Sequence, residues 1–187
     1  MGVNLVKGQR ISLEKEAGRQ LTKVVMGLGW DVAKKGFFGG SIDLDASCVM
    51  FGAKQEHKDT VWFRQLRSKD GSVVHTGDNV TGAGEGDDEQ IIVQLDKVPA
   101  DVSVLVFTIN SYRGQSFNRV TNAFCRIVDD ENKTEIARYN LSGGGDNTAM
   151  IMAKIYRHNN EWKMHALGEA AIGRTFIDLM PSIQKIL

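Results

Sequence analysis

An all-β fold, an antiparallel β-sandwich with short helical elements and a C-terminal helix, is what this sequence predicts. Three observations carry that expectation. Short runs rich in β-branched and aromatic residues recur along the chain, turn-forming peptides separate them at hairpin lengths, and helical apolar spacing is confined to the end.

In chain order, strands are expected over 21–30, 42–51, 61–63, 91–95, 102–110, 122–128, 135–141, 148–157 and 162–167. Lys69-Asp70-Gly71-Ser72, Asp129-Asp130-Glu131-Asn132-Lys133 and His158-Asn159-Asn160-Glu161 are turn chemistry between them. Strands so closely spaced leave no room for helical crossovers, so neighbours pair antiparallel. Residues 114–120 have the composition of a short helical turn. Ala170, Ile172, Phe176, Ile177, Met180, Ile183 and Leu187 fall at helical spacing, and the expected helix is interrupted or restarted at Pro181. A length of 187 residues, with no linker or repeat, predicts one domain over 1–187.

Composition excludes several classes of function. Lys plus Arg and Asp plus Glu are 23 each, so the chain lacks the positive field that non-specific nucleic-acid binding needs. Charges at Lys7, Arg10, Glu14, Lys15, Glu16 and Arg19 break any signal-peptide core, and no apolar run is long enough to cross a membrane as a helix. The expectation is a cytoplasmic protein without membrane insertion. Cys48 and Cys125 stand apart from each other and read as buried free thiols.

The balanced total hides a local excess of acid. Residues 70–96 contain Asp70, Asp78, Glu85, Asp87, Asp88, Glu89 and Asp96 and not one Lys or Arg. Like charges packed this closely call for solvation or a neutralising cation. Gly82, Gly84 and Gly86 free the backbone to turn carbonyl oxygens inward, and Asn79 and Thr81 add neutral oxygens. An all-oxygen set in a flexible loop suits calcium better than magnesium or zinc. The alternative is an acidic, solvated hairpin loop. A second acidic stretch, Ser41-Ile42-Asp43-Leu44-Asp45-Ala46-Ser47, places Asp43, Asp45 and Ser47 on one face of a strand. It is not an EF-hand, because counting from Asp43 puts Cys48 at the glycine position and Lys54 at the bidentate glutamate position. Asp31, after Gly27-Leu28-Gly29-Trp30, is placed to join the same basin. The eight carboxylates Asp31, Asp43, Asp45, Asp78, Glu85, Asp87, Asp88 and Glu89 exceed what one divalent ion gathers, which favours two neighbouring calcium ions.

Taken together, Gly27-Leu28-Gly29-Trp30-Asp31, Asp43-Leu44-Asp45-Ala46-Ser47 and His75-Thr76-Gly77-Asp78-Asn79 running into Thr81-Gly82-Ala83-Gly84-Glu85-Gly86-Asp87-Asp88-Glu89 resemble the signature blocks of the TerD family of tellurium-resistance and general stress proteins. Asn122-Ala123-Phe124, Ala137-Arg138-Tyr139-Asn140-Leu141 and Tyr156-Arg157-His158-Asn159 are similar to its later blocks, so the resemblance spans nearly the whole chain. It implies a bacterial cytoplasmic β-sandwich that binds calcium, acts in resistance to tellurite and other stresses with other proteins of that response, and has no established enzymatic reaction. By motif position the implied ligands are Asp31, Asp43, Asp45, Asp78, Asn79, Asp87, Asp88 and Glu89, with carbonyls of the 82–86 stretch. The chain departs from the family pattern at Lys35-Gly36-Phe37-Phe38-Gly39-Gly40 and over 176–187.

Two competing functions stand beside this one. An enzyme is one: His57, His75, His158 and His165 could pair with Ser or Asp side chains, yet no nucleophile elbow, metalloprotease helix or P-loop spacing occurs. Gly82-Ala83-Gly84-Glu85-Gly86 fails as a dinucleotide loop because Asp87 stands where the third glycine belongs. A scaffold with purely structural calcium would work through contact residues, for which Trp30, Phe37, Phe38, Trp62 and Trp162 are the candidates.

Overall fold

The computed structural model describes residues 2–32, 44–77, 86–141 and 145–187. Two six-stranded sheets face each other. The first has the order β1 (Val3–Leu5), β10 (Glu135–Asn140), β9 (Val120–Asp129), β3 (Lys23–Val32), β7 (Glu89–Gln94) and β6 (Val73–His75). The second runs β2 (Arg10–Ser12), β12 (Glu161–Ala171), β11 (Ala149–His158), β8 (Val104–Ser111), β4 (Leu44–Phe51) and β5 (His57–Val61). Among the described residues every pairing of strands is antiparallel except β1 with β10.

Period-two patterning explains which side chains fill the gap between the sheets. In β3, Val24, Met26, Leu28 and Trp30 turn inward; in β8, Leu105, Phe107 and Ile109 meet them from the other side. The outer face of the second sheet is apolar along part of its length, where Val49, Phe51, Val106 and Ile151 receive Leu179 and Ile183 of α2 (Phe176–Gln184). The helix runs through Pro181 without a restart and stops at Gln184, while Ala170 belongs to β12. Thr175 and Asp178 form a capping box that fixes its start.

All nine expected strands are present with shifted ends. The run 61–63 is the tail of β5, after which Trp62 pairs in an isolated bridge with Gln65. Three strands escaped the pattern because β1, β2 and β6 are three residues each, too short to show alternation. The one-turn helix α1 (Leu13–Ala17), closed by Gly18 at φ +68°, was also missed. The turn expected in 114–120 is a 3-10 turn at Phe117–Arg119. The β11–β12 hairpin turns on Asn159 and Asn160, both left-handed at φ 52° and 61°, the backbone that a two-residue hairpin loop requires.

Trp30 and Trp162 are buried, Trp62 is half-buried, and Phe37 and Phe38 lie outside the described residues. Both thiols are fully enclosed in the core. Burial pushes the Cys125 thiol up to about 12 and the Cys48 thiol higher still, with Asp59 and Asp70 adding to the latter. Neither forms thiolate near neutrality. A disulfide reagent should therefore label neither cysteine in the native protein and both in guanidinium; rapid native labelling of either thiol would contradict this packing.

Candidate functional site

Asp87, Asp88 and Glu89 are consecutive, and the local geometry sends their carboxylates to three different places. Glu89 opens β7 and pairs with Leu28, in phase with the inward-facing Ile91 and Val93. Its side chain is 1% exposed and crosses between the sheets, where Oε2 accepts the Ala46 backbone N–H at 2.6 Å. That N–H lies past Cys48–Val61, where the β4–β5 pairing ends. The glutamate thus satisfies a strand-edge donor that no strand among the described residues covers, through a charge-assisted hydrogen bond. His75 lies beside it, with Nε2 3.3 Å from Oε2. The His75 Nδ1 accepts the Gly77 N–H, which ties the ring to the backbone that follows β6. His75 is a support of the acidic segment, as its place at the end of a strand suggests.

Asp88 performs the matching task on the first sheet. Its own N–H donates to the Leu28 carbonyl at 2.8 Å, and its Oδ2 accepts the Trp30 N–H at 2.7 Å. These bonds extend the β3 edge beyond the Leu28–Glu89 pair where β7 begins. Burial, offset in part by the Trp30 N–H, and the nearby charges of Asp31 and Asp87 hold the Asp88 carboxyl above the usual carboxylate range.

Asp87 turns to the outer face of the first sheet. Arg126 of β9 grips it with two bonds, Nε to Oδ1 at 2.7 Å and Nη2 to Oδ2 at 3.0 Å, and the Gln90 amide donates a third at 3.0 Å. The Asp87 side chain is only 1% exposed. Local sequence offers no cation here, yet the fold brings one from a distant strand, because Arg126 is the register partner of Gly27. Arg126 thus supplies the positive charge that the sequence around Asp87 lacks. The missed signal is a long-range pairing, which composition cannot display.

The same geometry explains the glycines of Gly27-Leu28-Gly29. A Cβ on Gly27 would lie 2.2 Å from Asp87 Oδ2, and one on Gly29 would lie 2.4 Å from the Phe124 ring. Both positions need the absence of a side chain so that a carboxylate and an aromatic ring can lie flat on the strand. Phe124 in turn carries the Arg138 guanidinium 3.6 Å above its centroid. Asp31 is exposed and receives the Asn122 amide at 2.8 Å on Oδ2. Around it opens a cleft of about 670 Å³ lined by Trp30, Asp31, Gly86, Asn122, Phe124 and Arg138, among others.

Asp45 lies in β4 between the inward-facing Leu44 and Ala46, hence on the outer face of the second sheet, in register with Asn110 and near Ser47. Asp43, Asp78, Asn79, Gly82, Gly84 and Glu85 lie outside the described residues. Among the described residues no three acidic, histidine or cysteine side chains converge as a metal centre would require. Asp31 and Asp88 are oxygen donors held close enough to repel, while Asp87 and Glu89 bond to Arg126 and to the Ala46 N–H.

The family described as the TerD domain matches residues 1–178. The tellurium resistance protein TerZ of Serratia marcescens is 50% identical, over 97% of this chain and 96% of its own. The stress response protein SCP2 of Bacillus subtilis (strain 168) is 46% identical, over 90% of this chain and 92% of its own. Among solved structures, a homologue of telluride resistance protein (TerD) from Streptomyces coelicolor A3(2) superposes with a TM-score of 0.73, covering 88% of this chain and 98% of that one at 17% identity, and so has the same fold.

Removing Arg126 leaves Asp87 buried and uncompensated. Arg126→Met should cost roughly 3–5 kcal/mol in urea unfolding, and Asp87→Asn in the same chain should restore part of the loss. Gly27→Ala should destabilise comparably by displacing the carboxylate. An Arg126→Met protein as stable as the parent would show that the ion pair does not hold this end of the sandwich.

Proposed function

The chain belongs to the TerD domain family, and we propose that it is a cytoplasmic calcium-binding protein of the stress and tellurium-resistance response, whose bound ion shapes a surface read by another protein of that response. The observation that carries this reading is the Asp88 carboxyl, raised by burial and by the charges of Asp31 and Asp87 at the end of a segment that has no Lys or Arg from 70 to 96. A divalent cation relieves that repulsion, and oxygen donors select calcium.

Asp31 and Asp88 would hold the ion, together with Asp43, Asp45, Asp78, Asn79, Glu85 and carbonyls at Gly82 and Gly84; the number of acids available favours two ions. When bound, calcium supplies positive charge at this end of the sandwich. Asp87 and Glu89 then act as positioning residues that fix the segment to both sheets. The names of the relatives, tellurium resistance protein TerZ and stress response protein SCP2, support the cellular role. The chain works by binding rather than catalysis in this reading, which rests on an all-oxygen acidic set and on the absence of any nucleophile–base spacing in the sequence.

Isothermal titration of chelator-stripped protein should show micromolar calcium binding with much weaker magnesium binding, and Asp31→Asn or Asp88→Asn should lower calcium affinity at least tenfold. At 100 times the dissociation constant, calcium should add about 2.7 kcal/mol of stability. Partners captured from stressed bacterial lysate should differ with calcium and with chelator. Failure to retain calcium at micromolar free ion sinks the reading, and identical partner sets would reduce the ion to a structural role.

A further inference from the structure

At the other end of the second sheet, two cations flank a histidine in one register row. Arg10 of β2 pairs with His165 of β12, and His165 pairs with Lys154 of β11. All three sit on the outer face, because their chain neighbours Ile11, Met164, Ala166, Ala153 and Ile155 fill the core. One row along, Lys163 of β12 lies opposite Tyr156 of β11 on the same face. Strands lie about 4.8 Å apart, so Arg10 and Lys154 are about 10 Å from each other across the histidine, near enough for their charges to repel. Burial first, and then the charge of Arg10, hold Lys154 below its ordinary value, and burial, Arg10 and Lys154 do the same to His165.

Nothing acidic among the described residues relieves this row. A hollow of about 440 Å³ opens over it beneath the end of α2, with Arg10, Lys154 and Tyr156 on one side and Ala53, Val104 and Leu187 on the other. A second hollow of about 310 Å³ adjoins it, shares Arg10 and Tyr156, and adds Lys15, His158 and Lys163. No Asp or Glu side chain lines either hollow. Glu56 is paired with Lys58 at 3.1 Å and Glu169 with Lys7 at 3.1 Å, while Glu161 reaches only Lys15 of the second hollow, at 4.0 Å. Lys154 donates to the Ile186 carbonyl, which fixes its ammonium at the mouth of the hollow. Among the described residues Arg10 makes no ion pair, and it is exposed. A fork and a point charge held together around a concave wall with an aromatic ring is the chemistry that recognises oxyanions.

We propose that this hollow is a binding site for a multiply charged oxyanion, free or carried as the phosphate end of a small molecule, with Arg10 and Lys154 as its direct contacts and His165 behind them. The site is independent of the calcium reading, since none of its residues belongs to the acidic end.

The test is calorimetric titration and thermal unfolding with three probes, inorganic phosphate, tellurite and ribose 5-phosphate, against sodium chloride at matched ionic strength. At least one oxyanion should bind and raise the melting temperature by several degrees where chloride does not. Tighter binding of ribose 5-phosphate assigns the site to phosphate esters; tighter binding of phosphate or tellurite assigns it to the free ion. Arg10→Ala and Lys154→Gln should each weaken binding at least tenfold. Lys154→Gln keeps a donor for the Ile186 carbonyl and removes the repulsion, so without ligand it should melt no lower than the parent protein. No binding by any probe, a response equal to that of chloride, or undiminished affinity in both variants would overturn the proposal.

Discussion

Two sheets packed face to face through apolar side chains are free to slide unless something polar and directional pins them, because hydrophobic contact carries little orientation of its own. Here the pin is the Asp87-Asp88-Glu89 segment. A strand alternates its side chains, and its entry is the one place where a residue can also reach past the strand end. Three consecutive carboxylates use that freedom to bind Arg126 on one face, to continue the β3 edge through Trp30, and to cross to Ala46 on the facing sheet. Each satisfies a donor that burial would otherwise leave costly, so the segment is held by desolvation penalties as much as by bond strength.

That arrangement sets what the neighbouring positions can be. Gly27 and Gly29 are empty because Asp87 and the Phe124 ring lie where side chains would stand. Arg126 opposes Gly27 so that its guanidinium can reach over the bare strand to the carboxylate. Burial raises the Asp88 carboxyl, and Asp31 lies near enough for the two charges to oppose each other, which raises it further. A basin of acids in the sequence therefore divides into some that build the corner and some that make it attractive to a cation.

Much of this was legible in advance. Alternation in 91–95, 102–110 and 148–157 announced the sandwich, and the Asn159-Asn160 pair announced its hairpin, because these signals are local. The end of α2 was legible as helix but not its passage through Pro181, since packing of Leu179 and Ile183 against the sheet outweighs the one backbone bond lost there. The acidic segment was visible as charge density alone. That Asp87 would find Arg126 and Glu89 would find Ala46 was not visible, because 39 and 43 residues separate the partners and only the register of two sheets joins them. The basic row of Arg10, His165 and Lys154 went unnoticed for the same reason: three isolated residues in strands far apart in sequence become adjacent only when β2, β12 and β11 align.

The equal totals of acid and base are thus a sum over two separated fields. The β4 strand measures their distance, with Asp45 toward one end and Phe51 at the other, beside the hollow that Arg10 and Lys154 line. Six residue steps at about 3.3 Å make that separation roughly 20 Å. Screening at physiological salt acts over about 8 Å, so charge gained at one end is scarcely felt at the other through solvent. An ion at the acidic corner and an oxyanion over the basic row would consequently bind without helping or hindering each other electrostatically. Any coupling between them has to pass through the second sheet itself, by way of the Glu89–Ala46 bond at one end of β4 and the packing of Phe51 beneath α2 at the other.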